Sequence, residues 1–383
     1  MLRKTDLLII TPATTGGSWI FFDGFLKKID PSLSISICSA QELKIKPSGI
    51  RVFHFPMPRY DRYGLLINSK SVFMMAYAFP LLILASFVIM IDRPYLIVSN
   101  GFATGYGVLP ISRLTKSKLV ISHHGYFEGY VPRIIGKLLK KFQSYIKLVV
   151  VNSATSEKDV AKIIPRKKLL VVEHWADQQF FLERNRQQLR SRMGLDKKFV
   201  IVFVGRIDRE KHAHLILETA TKQLLKRDFV FIFVGHGELE KMVHEKSKMH
   251  SNIRYMGYLS EQEKLAEVLT VADLVWSYAD EGYLARPAVE ALACGTPLLI
   301  SEKPAIMRKA EKGIKISDDL VRGIGWLIKT RNPTEDAKFL LKLKNSNLLN
   351  DKFRAYCKAY AKQNYSLQNL DSFIQFVSKS LDK

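Results

Sequence analysis

Short apolar runs alternate along this chain with longer stretches of helical periodicity. In the first half, Leu7–Ile10, Ser34–Cys38, Arg51–Phe55, Tyr95–Ser99, Lys118–Ser122, Lys147–Val151 and Leu169–Val172 read as strands. A polar, strongly charged break follows over 178–198. A fresh series then opens with Phe199–Val204, Phe229–Val234, Ile253–Tyr255, Leu274–Trp276 and Leu298–Ile300, with helical patterns between them. Strands alternating with helices predict doubly wound α/β domains with parallel sheets. Two such series predict two domains and a cleft between them. Ligands of open α/β sheets bind beyond the carboxyl ends of strands, so functional residues are expected just after strands.

Two stretches stand apart from this alternation. Residues 71–91 carry no charged side chain, and as a helix they would span about 31 Å, enough to cross a bilayer. Strand-like runs on both sides argue against crossing, because crossing would split one sheet across the membrane. A buried domain helix and an interfacial helix both stay open. In Val131–Leu148, the apolar residues Ile134, Ile135, Leu138, Leu139, Phe142 and Ile146 follow helical spacing, with Arg133, Lys137, Lys140, Lys141 and Lys147 mostly off that stripe. Such a helix suits either an anionic membrane surface or a solvated position against a sheet.

The 383 residues suffice for two domains, and 47% hydrophobic with 25% charged residues is a globular composition. The net charge of +23 attracts nucleic acid, anionic lipid or phosphorylated small molecules. No zinc-type cysteine spacing and no RNA-binding signature accompanies it, so nucleic acid is not expected as a partner. Cys38, Cys294 and Cys357 form no disulfide framework. The opening apolar run is too short for a signal peptide, and the expected location is cytoplasmic.

The densest chemistry lies in EGYLARPAVEALACGTP, Glu281 to Pro297. Pro287 suits a first helical position, which puts Glu290 near the positive end of the helix and close to an anion site. Such a carboxylate fits ribose hydroxyls, or is simply an acidic first turn. Arg206 and Lys211 follow the run FVIVFV and precede a helical run. Together they fit a diphosphate, the arginine as a fork and the lysine as a compact charge. Gly235-His236-Gly237 permits a tight turn and close approach of a ligand. Gly16 and Gly17 follow the first strand without the lysine of a P-loop. His123 and His124 end another strand, where an imidazole titrates near neutrality. Structural roles for these last groups stay open.

In order, Gly16-Gly17, His124-Gly125, Gly205-Arg206 with Glu210-Lys211, Gly235-His236-Gly237, Asn252 to Tyr258, Ala272-Asp273-Leu274 and Glu281 to Pro297 resemble the retaining family-4 glycosyltransferases of GT-B fold. The run ALACGTP is especially characteristic. The resemblance implies an α/β architecture of two Rossmann-like doubly wound domains whose parallel sheets face a deep cleft. It places an acceptor-side domain over 1–180, a nucleotide-sugar-binding domain over 181–360, and a terminal helix in 361–383 that crosses back to the first.

The resemblance also implies roles. Arg206 and Lys211 would bind the donor diphosphate and stabilise the leaving nucleotide. Glu290 would hold the ribose, and Glu281 would contact the transferred sugar. His124 would be the catalytic histidine, with His123 as the alternative. Tyr258 and Leu259 would border the base, while Gly16, Gly17, Gly205 and Gly235 would line the donor. No cofactor and no metal is implied. A UDP- or GDP-sugar is the expected donor, and the acceptor is expected to be lipid-linked or a glycan. An anionic membrane surface, at its inner face, is a candidate partner. A nucleotide-sugar epimerase or hydrolase, or a non-catalytic binding subunit, is the alternative.

Two departures matter. Eight residues separate Glu281 from Glu290, where the family usually has seven, and the loop carries Arg286, a charge that could meet phosphate. His174-Trp175-Ala176-Asp177 replaces the more usual Asn-Gly-Val-Asp.

Overall fold

The structure is a computed structural model that describes residues 4–12, 16–40, 43, 49–54, 72–123, 140–224, 228–277, 284–300, 323–328 and 332–382. For 16–18, 72–78, 155 and 223 only the backbone is described. The chain divides into two compact units, Met1–Glu173 with Leu370–Lys383, and His174–Asn369.

The first unit holds a seven-stranded parallel sheet in the order β3-β2-β1-β4-β5-β6-β7. Its strands are β1 (Leu7–Thr11), β2 (Ile35–Ser39), β3 (Arg51–His54), β4 (Leu96–Asn100), β5 (Lys118–His123), β6 (Ile146–Val151) and β7 (Leu169–Val171). Every residue of β1, β2 and β4 is buried, because a parallel sheet is covered on both faces. The helices are α1 (Gly16–Lys28), α2 (Val72–Asp92), α3 (Phe102–Leu114) and α4 (Ala154–Val160). The strand order reverses at β1 and β4, so right-handed crossovers send α1 to one face and α2 and α3 to the other. Leu8 and Ile10 accordingly pack with Leu81, Ala85 and Val88 of α2 and Val108 of α3.

Residues 72–91 therefore belong to a helix that lies on a sheet, with β3 before it and β4 after it in that same sheet. Among the described residues no helix is long and apolar enough to cross a membrane. The helix expected over Val131–Leu148 has ended by Gln143–Tyr145, a single 3-10 turn, and Ile146 already belongs to β6. The rest of that stripe, 131–139, lies outside the described residues.

The second unit holds a six-stranded parallel sheet in the order β10-β9-β8-β11-β12-β13. The strands are β8 (Phe199–Val204), β9 (Phe229–Val234), β10 (Ile253–Tyr255), β11 (Leu274–Ser277), β12 (Leu298–Ile300) and β13 (Gly325–Leu327). The helices are α5 (Gln178–Phe181), α6 (Arg186–Arg192), α7 (Ala213–Glu218), α8 (Glu240–Met249), α9 (Gln262–Val271), α10 (Arg286–Ala293), α11 (Pro333–Lys344) and α12 (Asp351–Asn364). Alternation along β8 and β9 sorts the core by face. Phe199, Ile201, Phe203, Phe229, Phe231 and Phe233 fill one side, and Val200, Val202, Val230, Ile232 and Val234 fill the other.

Ion pairs fasten the edge at which these strands start. Asp273 accepts from the backbone N–H of Val200 at 2.7 Å and pairs with Arg186 at 2.5 Å and Arg190 at 3.2 Å, which ties α6 to the sheet. Arg354 of α12 donates to the carbonyls of Ala272 and Thr270, each at 2.9 Å, and its burial pulls its pKa down to about 10.

A last helix, α13 (Asp371–Leu381), returns to the first unit. Phe373 packs on Phe21 and Phe25 of α1, with ring centroids 5.4 and 5.0 Å apart, and Asp371 pairs with Lys28. Both sheets are parallel and doubly wound, as the alternation predicts.

Candidate active site

In the second sheet the strand order reverses between β8 and β11, and crevices in open α/β sheets form at the carboxyl ends of such a pair. The chain leaves β8 through Gly205 and Arg206. The Arg206 guanidinium is 3.1 Å from Asp208 and donates to the Glu210 carboxylate at 2.7 Å. Asp208 is buried and also accepts from the backbone N–H of Lys211 at 2.7 Å. The Arg206 guanidinium and the backbone of Lys211 thus meet at one carboxylate. Asp208 itself was not anticipated. Nothing in the sequence marks an acid flanked by basic residues as an anchor until its burial is seen. The following helix starts at Ala213, after a left-handed residue at His212, so Lys211 lies just before the helix.

The glycines after β9 have a structural cause. A Cβ on Gly235 would lie 1.9 Å from the carbonyl oxygen of Gly205, and one on Gly237 would lie 2.6 Å from that of Ile207. Both have positive φ, at 136° and 157°. The loops after β8 and β9 meet through backbone hydrogen bonds from Gly205 to Val234 at 3.0 Å and from Ile207 to His236 at 2.9 Å. The approach that excludes a side chain here is therefore chain to chain, where the sequence suggested chain to ligand. The next loop joins the same edge, since Gly235 donates to Gly257 at 2.8 Å. Beyond Gly257, the exposed ring of Tyr258 meets His236 edge-on at 5.4 Å, and Leu259 packs against the core.

Glu290 sits on α10, which begins at Arg286 with proline in its first turn. As the fifth residue of the helix, Glu290 stands in the second turn, slightly further from the N-terminus than the sequence suggests. Its side chain is buried, and Oε1 accepts from Nε of Arg286 at 2.6 Å. The same guanidinium donates from Nη2 to Oδ2 of Asp177 at 3.0 Å. Gln262 of α9 also donates to Asp177. Arg286, expected as a charge for phosphate, instead serves two buried carboxylates. Burial raises the pKa of Glu290; Arg286 opposes that shift and Asp177 adds to it.

In the first unit, Gly16 and Gly17 open α1 rather than forming a turn before it. That sheet also reverses between β1 and β4, where Asn100 donates to the Thr11 hydroxyl at 3.0 Å. His123 ends β5, 5.0 Å from the Phe102 ring. His124 and Glu281 lie outside the described residues. Among the described residues no group of three or more His, Cys, Asp or Glu converges to hold a metal ion.

Gly205, Arg206, Lys211, Gly235 and Tyr258 thus share neighbouring loops at one edge of the second sheet. The helix bearing Glu290 starts from that edge too, because it follows β11 in a parallel sheet. Residues 185–364 match the family model for glycosyl transferases group 1. No curated protein matches the chain in sequence. Among solved structures, the Anabaena protein HepE in complex with UDP-glucose is similar with a TM-score of 0.74 at 16% identity, over 98% of this chain and 100% of that one. A glycosyltransferase from Rickettsia africae has a TM-score of 0.71 at 16% identity, over 100% of both chains. WaaG, a glycosyltransferase of lipopolysaccharide biosynthesis, has a TM-score of 0.69 at 12% identity, over 97% of this chain and 99% of that one. At such identities the likeness concerns the fold, which in all of them is GT-B, while the match over 185–364 concerns the sequence. The second unit is therefore a glycosyl transferases group 1 domain, carried in a chain of GT-B fold.

Proposed function

We propose that the protein is a retaining, metal-independent glycosyltransferase that moves a hexose from a UDP- or GDP-sugar to a lipid-linked or glycan acceptor. The observation that carries the reading is the loop at the β8–β11 switch, where Arg206 and the backbone of Lys211 converge on Asp208. Glu290, on the helix that starts from the same edge, supports it. HepE, of the same fold, is described in complex with UDP-glucose, which favours UDP as the nucleotide.

In this reading Glu290 accepts hydrogen bonds from the ribose hydroxyls on Oε2, its other oxygen being held by Arg286. Tyr258 and Leu259 border the base. Arg206 exchanges its carboxylate partners for the diphosphate, and Lys211 joins it. The bond between the sugar C1 and the phosphate oxygen breaks as an acceptor hydroxyl attacks C1 from the same face. The acceptor's proton passes to the departing phosphate. Negative charge grows on that phosphate, and fixed cations stabilise it most in the transition state. His124 and Glu281 are assigned to the transferred sugar, and Gly16 and Gly17 to contact with the donor.

The test is a panel of UDP-, GDP- and ADP-sugars, with binding read by calorimetry and turnover by nucleotide release. Binding of one donor class, with the anomeric configuration retained in the product, is expected. Failure of every donor to bind at millimolar concentration would overturn the reading.

A further inference from the structure

The helix α2 is apolar on every side, and such a helix is ordinarily buried all round. Here it is not. Leu81, Ala85, Val88 and Ile89 face the core, whereas Phe79, Ile83, Phe87 and Met90 are 60%, 57%, 63% and 55% exposed. At 3.6 residues per turn these four fall within an arc of about 80° and form a stripe about 16 Å long. Ile91 extends the stripe at its end.

Helices of a parallel sheet run opposite to its strands, so α2 and α3 both end at the edge where the strands start. That edge is basic. Exposed Arg113, Leu114 and Lys116 close α3, which packs beside α2. The Arg113 guanidinium lies over the Tyr145 ring at 4.6 Å. Lys168 caps the carbonyls of Gln143 at 2.7 Å and Ile146 at 2.8 Å, and burial, followed by the nearby charges of Lys147 and Lys167, lowers its pKa. Between Asp92 and Glu157 the sequence holds nine lysines and arginines against a single carboxylate, Glu128.

From this juxtaposition we infer that the α2 stripe and the basic edge beside it dock the protein on an anionic lipid bilayer. Exposed phenylalanine, isoleucine and methionine enter the headgroup–acyl boundary while the flanking cations meet lipid phosphates. A nucleic acid would engage the cations and leave the stripe in water. A second copy of this chain would cover the stripe but bring like charges together.

The test is flotation of the full-length protein with vesicles of phosphatidylcholine alone or mixed with phosphatidylglycerol. The wild type is expected to float with the mixed vesicles only, and less so as salt rises. Ile83→Ser with Phe87→Ser is expected to lower binding about tenfold or more. Arg113→Glu with Lys116→Glu is expected to lower it about twenty-fold or more, each cation near an anionic surface being worth about fivefold. The substituted positions are exposed, so melting temperatures stay at the wild-type value. Three results would overturn the inference: no flotation at low salt, equal flotation of the serine variant, or a wild-type dimer that the serine variant converts to monomer. Flotation needs no nucleotide sugar, so it can fail while the donor-site reading stands, and the reverse.

Discussion

Arg286 is one guanidinium between two buried carboxylates, Glu290 and Asp177. Removing one partner of a buried pair costs about 3–5 kcal/mol, so Arg286→Leu should lower the melting temperature sharply and weaken nucleotide binding together. The raised pKa of Glu290 gives a second expectation, whose sign follows from linkage. Its ordinary value is 4.5 and the folded value is higher. Its contribution to stability is therefore full below about pH 4.5 and is lost as pH rises through the folded value. Glu290→Gln should flatten that fall in a melting-temperature profile against pH while abolishing donor binding. Arg206 should behave oppositely to Arg286. Its guanidinium and Glu210 are exposed, while Asp208 is buried but keeps the Lys211 backbone N–H as a partner, and pairs made by an exposed cation contribute about 0–1 kcal/mol. Arg206→Ala should leave stability nearly unchanged yet weaken nucleotide-diphosphate binding about tenfold to a hundredfold, as loss of a charge-assisted hydrogen bond does.

At the scale of elements, the loops after β8 and β9 test the close-approach account. Gly235→Ala puts a methyl group 1.9 Å from a carbonyl oxygen. It should cost about 1–3 kcal/mol for overpacking in addition to about 1–2 kcal/mol for a positive φ. Gly194→Ala, also at positive φ but with open space around it, should cost only the latter, as denaturant titration of both variants would show. This contrast also marks what the sequence can carry. Phe199–Val204 and Phe229–Val234 match their predicted bounds because a run buried on both faces announces itself. Gly325–Leu327 escaped prediction because its three residues are a strand only through pairing with β12. Arg206 and Lys211 were legible as cations after a strand. The anchoring by Asp208 and the turn of Arg286 toward Glu290 and Asp177 were not, since sequence spacing carries no information about which buried charges pair. For α2, the apolar run predicted a helix and left its environment open; only the fold separates a core face from an exposed one.

For the whole molecule, the first unit is closed by the end of the chain. Phe373 and Val377 of α13 are fully buried, and Phe373 fills the space between Phe21 and Phe25. Phe373→Ala should destabilise the first unit by about 3–5 kcal/mol, although every residue of its sheet lies some two hundred positions or more earlier in the chain. Differential scanning calorimetry should show this as a lowered transition for that unit.

The central claim is that the edge of the second sheet binds a nucleotide sugar through Arg206, Lys211 and Glu290. Calorimetric titration of UDP-glucose and GDP-mannose into wild-type protein and Arg206→Ala, with melting curves alongside, tests it most directly. The account predicts saturable binding of one donor to the wild type, and at least a tenfold loss in the variant at unchanged melting temperature. Wild-type affinity in Arg206→Ala, or no binding of either donor to the wild type, would contradict it.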